Sequence, residues 1–141
     1  PSNKNIKFKR VRIRHLINKL KNEGLDAKKL RLTINNLSDS NFTINHYVLE
    51  NIKLNSNYLK IKKAYIVNNF FFDQPHEIIF RSLSNILKRI GKKYYSSRGR
   101  SLEQVIQKIK LNSFNKVTLS GCVIEKLNNS LVIYQENEKK T

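Results

Sequence analysis

The residues of this chain best suited to chemistry are cations, and they fall in two clusters. The first is Lys7, Lys9, Arg10, Arg12 and Arg14. The second is Arg81, Lys88, Arg89, Lys92, Lys93, Arg98 and Arg100, with Tyr94 and Tyr95 embedded in it. A guanidinium clamps a phosphate through paired hydrogen bonds, and a tyrosine ring stacks on an unpaired base. The chemistry these types predict is contact with a phosphodiester backbone. Arg98 and Arg100 are the best-placed phosphate ligands, because a helix N-terminus beside them adds backbone donors and a favourable dipole. For any single cation the competing reading is a solvated helix face. The clusters taken together favour phosphate contact.

Catalytic constellations are missing. The four glycines stand at 24, 91, 99 and 121, too far apart for a phosphate-cradling loop. No close pair of carboxylates lies in an apolar setting. His15, His46 and His76 are isolated from one another and from Cys122, so no metal-ligand spacing appears. Cys122 lies in a strand-like pattern and reads as a small buried residue.

The charge supports the first reading. Lys and Arg number 28 against 10 Asp and Glu in 141 residues, a formal net charge of +18. Codon bias explains a preference for Lys over Arg, but not the shortage of acids. Such an excess predicts a polyanionic partner, with nucleic acid ahead of a membrane surface. A single Cys allows no intrachain disulfide and suits a reducing, cytoplasmic location. No apolar run approaches the roughly 18 residues of a membrane span.

These cations must be positioned by mixed elements. Ile13, Leu16, Ile17 and Leu20 predict a helix over 8–22 with those residues facing a core, stopped at Gly24. Asp26 is the expected cap of a longer helix. Its seam runs Leu30, Ile34, Leu37, Ile44, Val48 and Ile52, with an interruption at Ser38-Asp39-Ser40. A loop over 53–58 leads to a strand from Tyr58 to Val67, and Phe70-Phe71-Phe72 reads as packing. A helix over 76–90 starts at Asp73-Gln74-Pro75 and ends at Gly91. Ser101 and Gln104 predict a capping box for a helix carrying Leu102, Val105, Ile106 and Ile109. A hairpin closes the chain, with strands 117–126 and 130–136 joined through Asn128-Asn129. The expected class is α+β, mostly helical, with a C-terminal β-hairpin or small sheet packed on helices. The expected division is a helical linking region over 1–56 and an α+β region over 57–141.

Two segments resemble a known family. Ser2, Asn3, Arg10 and Arg14, within Pro1-Ser2-Asn3 and Phe8-Lys9-Arg10-Val11-Arg12-Ile13-Arg14, are similar to the junction after the catalytic domain of tRNA(Ile)-lysidine synthetases. Val11 stands where the wider family has Asn, as in its α-proteobacterial branch. Gly24-Leu25, Leu30 and Thr33 continue the likeness. The second segment comprises Arg81-Ser82-Leu83, Leu87-Lys88-Arg89-Ile90-Gly91, Tyr95, Arg98, Leu102-Glu103 and Thr118-Leu119-Ser120-Gly121-Cys122-Val123-Ile124. It resembles the C-terminal region of that branch. Tyr134-Gln135-Glu136 fits too, with Gln135 where Arg is usual.

The resemblance implies an ATP-dependent ligase. It adenylates C2 of the wobble cytidine in a CAU-anticodon isoleucine tRNA, and the lysine amine then displaces AMP. ATP and magnesium would sit in an upstream domain carrying a Ser-Gly-Gly-x-Asp-Ser loop, which this sequence lacks. The chain, which opens without Met, is expected to be a C-terminal fragment that positions tRNA and is inactive alone. By the same resemblance Asn3, Arg10 and Arg14 face the catalytic cleft, and the partners are tRNA, lysine, ATP and, in a homodimer, a second copy. The tRNA-binding set is Lys7, Arg10, Arg12, Arg14, Arg81, Lys88, Arg89, Arg98 and Arg100. The alternative is a stand-alone basic RNA-binding or ribosome-associated module without catalysis.

Overall fold

In the computed structural model, residues 8–92 and 99–136 are described. The expected positions Asn3, Lys7, Lys93, Tyr94, Tyr95 and Arg98 lie outside them, and so does the 137–141 tail. The chain divides into two compact units, Pro1–Phe42 and Thr43–Thr141.

The first unit holds α1 (Lys9–Asn22) and the beginning of α2 (Ala27–Asn55). Gly24 stops α1 because its φ of 89° is open to glycine at little cost. Two bonds close the end: Leu25 N–H donates to Leu20 O (2.9 Å) and Gly24 N–H to Lys21 O (3.0 Å). This is the Schellman arrangement that satisfies orphan helix carbonyls. Asp26 caps α2 as expected, its Oδ1 accepting from Lys29 N–H at 2.8 Å. The Ser38-Asp39-Ser40 interruption does not break α2. Ser40 Oγ folds back onto Asn36 O (2.9 Å), as Thr33 Oγ1 does onto Lys29 O (3.0 Å), so the hydroxyls are satisfied inside the helix.

In this unit the predicted core face stays open. Val11 is the buried residue of α1, whereas Ile13, Leu16, Ile17 and Leu20 are exposed. Leu30, Ile34 and Leu37 are exposed as well.

The second unit is α+β. It continues α2, then adds β1 (Ser56–Leu59), β2 (Ala64–Asn68), a 3₁₀ turn (Asn69–Phe72), α3 (His76–Gly91), α4 (Gly99–Lys110), β3 (Lys116–Leu119), β4 (Cys122–Leu127) and β5 (Ser130–Gln135). The five strands form one antiparallel sheet in the order β1-β2-β5-β4-β3. Two predicted single strands are in fact hairpins. The stretch 58–67 turns at Lys60–Lys63, and 117–126 turns at Ser120-Gly121. The second reversal is tight because Ser120 and Gly121 both take positive φ, 56° and 74°, as a primed hairpin turn requires. The predicted 53–58 loop is the end of α2 and the start of β1.

One sheet face and three helical segments enclose the core. Ile79, Leu83, Ile86 and Leu87 of α3, Leu102 and Ile106 of α4, and Val67, Cys122, Ile124 and Ile133 of the sheet are fully buried. Val48 and Ile52 of α2 join them, with Phe71 of the 3₁₀ turn. Phe71 packs as expected, Phe72 does so partly, and Phe70 is exposed. Asn51 is buried and ties three elements together. Its Nδ2 donates to Phe71 O (3.3 Å) and Ser82 Oγ (3.2 Å), and Ser82 Oγ donates to Val48 O (3.4 Å). Gly91 is a close approach. A Cβ there would collide with the Ser120 carbonyl oxygen and lie 3.2 Å from Cys122 Sγ. The predicted Ser101–Gln104 capping box is not formed, because α4 begins earlier, at Gly99, and places both residues inside the helix.

Candidate nucleic-acid interface

Helical geometry sorts the cations of the first unit. Arg10 and Arg14 are one turn apart and share a face of α1, while Arg12 projects elsewhere. Arg12 lines a shallow recess of about 330 Å³ with His15, Leu16 and Lys19. All three arginines are exposed. The first turn of α1 contains no acid, and Phe8 offers it no side-chain cap.

In the second unit α3 separates its cations along its length. Arg81 lies near the start, with Nε donating to Glu77 Oε1 at 2.6 Å. Lys88 and Arg89 lie in the last turn and are exposed. Two helical turns, about 10 Å, separate Arg81 from Lys88 on the same side. Arg89 Nη1 donates to the Tyr65 hydroxyl at 3.3 Å. Arg100 is exposed in the first turn of α4. It lines a cleft of about 290 Å³ with His76, Glu77, Phe80, Gly99 and Glu103. His76 Nε2 meets Glu103 Oε1 there at 2.8 Å. Arg100 thus shares its cleft with two carboxylates, whereas Lys88 and Arg89 stand at the opposite end of α3, away from both.

The described cations of the second sequence cluster therefore fall toward the two ends of α3. A further basic group was not singled out from the sequence: Lys60, Lys62 and Lys63 at the β1–β2 turn, all exposed. Lys60 and Lys62 fall inside the stretch expected to be a single strand, Tyr58 to Val67. The missed signal was the turn itself, since Lys63 holds a φ of 47° where Gly or Asn is usual.

Electrostatics elsewhere are mild. Lys116, exposed, has its pKa raised, first by the Tyr134 hydroxyl and then by Glu125. Glu125 accepts from Tyr134 Oη at 2.9 Å. Among the described residues no group of three or more His, Cys, Asp or Glu is placed to hold a metal ion, and no helix is long and apolar enough to cross a membrane. Cys122 is buried, with Sγ donating to Leu87 O at 3.3 Å.

No protein-family model and no solved structure matches the chain. Two curated proteins do. The tRNA(Ile)-lysidine synthase of Wolbachia sp. subsp. Brugia malayi (strain TRS) is 29% identical over 140 residues, covering 98% of this chain and 32% of that protein. The tRNA(Ile)-lysidine synthase of Wolbachia pipientis wMel is 26% identical over 139 residues, with the same coverage of 98% and 32%. The chain spans about a third of the length of these relatives. The likeness expected from the opening and closing segments extends over nearly the whole chain.

Proposed function

We propose that this chain is the C-terminal, tRNA-handling portion of a tRNA(Ile)-lysidine synthase. The observation that carries the reading is the similarity to two such enzymes along 98% of the chain. The physical properties support it. The chain carries a +18 charge, Arg10, Arg12, Arg14, Arg89 and Arg100 are exposed, and its second unit has a core of its own on which to hold a binding surface.

In this reading the whole protein uses ATP to adenylate the wobble cytidine, and lysine then replaces AMP. The residues present here do not suit the ATP-magnesium site. Their glycines are dispersed and, among the described residues, no acids are gathered to hold a metal ion, so that chemistry is assigned to the remainder of the enzyme. The role of this portion is to hold tRNA by its backbone through Arg10, Arg12 and Arg14 on α1 and Arg81, Lys88, Arg89 and Arg100 on α3 and α4. Lys7 and Arg98 are assigned the same task from the sequence alone, and Asn3 is assigned to the cleft by resemblance. Arg10 and Arg14, on one face, are the pair best arranged to serve the catalytic cleft, where cations offset developing phosphate charge.

The test has two arms. The genomic reading frame upstream of Pro1 is expected to encode a Ser-Gly-Gly-x-Asp-Ser loop on a strand-to-helix pattern. The purified chain is expected to bind a CAU-anticodon isoleucine tRNA transcript with steep salt dependence. A stop codon and start site directly upstream would overturn the assignment in favour of a free-standing RNA-binding module. Absence of tRNA binding at low salt would overturn the binding role.

A further inference from the structure

The β1–β2 hairpin lies outside the segments that carried the family likeness, and it stands beside the end of α3, which carried part of it. β1 and β2 are only four and five residues long and end in the Lys60–Lys63 turn. The turn is closed by Lys63 N–H donating to Lys60 O at 3.4 Å. At its tip Ile61 is 99% exposed, so it contributes nothing to the core. Lys60, Lys62 and Lys63 form no ion pair with any described residue.

Two pairs below the turn, Tyr58 and Tyr65 face each other across the strands. Their ring centroids are 5.0 Å apart. Tyr65 is buried, with its hydroxyl held by Arg89, while Tyr58 is 43% exposed. A buried ring thus backs an exposed one, and a guanidinium stands beside them. Neither 51–72 nor 78–102 contains an Asp or Glu. The hairpin and the last turn of α3, with Lys88, Arg89 and Lys92, come from these two stretches. Stacking rings beside a group of exposed cations are the usual equipment for unpaired nucleotides.

The geometry points to Tyr58 as a stacking platform for an unpaired nucleotide of RNA, with Lys60, Lys62, Lys63 and Arg89 taking the flanking phosphates. Ile61 supplies an apolar contact beside the base. A paired base offers its face only to its neighbours in the stack, so the ligand is a single-stranded segment rather than a duplex. This inference rests on the RNA-binding reading above and gives it a location.

The chain contains no tryptophan, so Tyr58→Trp places a single reporter at the site. Titration of the 141-residue variant with the CAU-anticodon tRNA transcript is expected to quench its fluorescence. A fully paired RNA duplex is expected to leave it unchanged. In anisotropy measurements with the same transcript, Tyr58→Ala should lower affinity roughly 5- to 150-fold, the span of one stacked base. Tyr58→Phe should restore it. The combined Lys60→Ala, Lys62→Ala and Lys63→Ala variant should reduce the salt-dependence slope by about 2, as loss of three single-strand phosphate contacts predicts. All of these side chains lie outside the core, and circular dichroism checks that each variant is folded. If wild-type chain binds the transcript while the reporter stays unquenched, or quenches equally with duplex, the hairpin site is overturned alone. An unchanged slope in the lysine variant has the same meaning. If wild-type chain binds no RNA, the hairpin site and the broader reading fall together.

Discussion

The two halves of α2 make an internal comparison. One helix carries one apolar seam at one spacing, yet its fate differs between the units. In the first unit Leu30, Ile34 and Leu37 are 40%, 63% and 65% exposed; in the second, Val48 and Ile52 are 1% and 8% exposed. The residue types barely change. What changes is the company. The second half meets α3 and the 3₁₀ turn through Asn51 and Ser82, and shares a core with the sheet. The first half has only α1 for its unit, and two helices cannot enclose a core. Periodicity thus specifies which face is apolar but not whether anything covers it.

The largest effects should follow that division. Leu83→Ala, in the fully buried row of α3, is expected to cost about 2–5 kcal/mol, the usual range for emptying a packed site. Ile34→Ala on the open part of α2 should change stability by no more than about 0.5 kcal/mol, as for surface positions. Urea unfolding of the two variants provides the comparison. A cost above 2 kcal/mol for Ile34→Ala would show that the first unit's seam is covered in solution. Gly91→Ala comes next. The added methyl meets the backbone oxygen of the β3–β4 turn, which cannot rotate aside as a flexible side chain would. Overpacking of this kind costs about 1–3 kcal/mol and should appear as a lowered thermal midpoint.

Sequence reading succeeded where a residue's local chemistry decides the outcome. Gly24, Asp26 and the apolar face of α3 each act through their own helix, and each was legible. It failed where the fold uses an atypical residue or a distant partner. A lysine in left-handed conformation at the β1–β2 turn concealed a hairpin and with it the cations at its tip. The Ser120-Gly121 dipeptide did carry a turn signal, but the β-favouring residues on both sides hid it. The class, α+β with a sheet packed on helices, was legible from the alternation of periods. The five-strand order was not, because β2 pairs with β5 across the intervening helices. At the candidate interface, types and exposure were legible, whereas the division of Arg81, Arg100, Lys88 and Arg89 between the two ends of α3 required coordinates.

Asn51 sharpens the comparison on the polar side. In the second unit a buried amide joins α2 to the 3₁₀ turn and α3, whereas in the first unit the Thr33 and Ser40 hydroxyls bond to carbonyls of their own helix. Asn51→Ala removes the donor facing Phe71 O and Ser82 Oγ in a buried place. It should cost about 1–3 kcal/mol, near the lower end if Ser82 reorients. Thr33→Ala in the first unit should be close to neutral, since its side chain is exposed and its bond is local. Equal costs for the two would contradict the view that long-range packing holds only the second unit together.

The smallest expected effect separates location from net charge. Glu77 pairs with Arg81 one turn away on α3, with side chains about half and one third exposed. Such a pair contributes about 0.3–0.5 kcal/mol, so Glu77→Gln should lower stability only slightly. On RNA it should act in the opposite direction. It removes a negative charge from beside Arg81 and from the cleft lined by Arg100, so affinity for the tRNA transcript should rise, and the gain should fade as salt is added. Glu23→Gln, at the end of α1 in the first unit, makes the same change in net charge elsewhere. If tRNA lies along α3 and α4, Glu77→Gln strengthens binding more than Glu23→Gln. No gain at all from Glu77→Gln would mean that tRNA does not approach this end of α3, and Arg81 and Arg100 would then lose their assigned contacts.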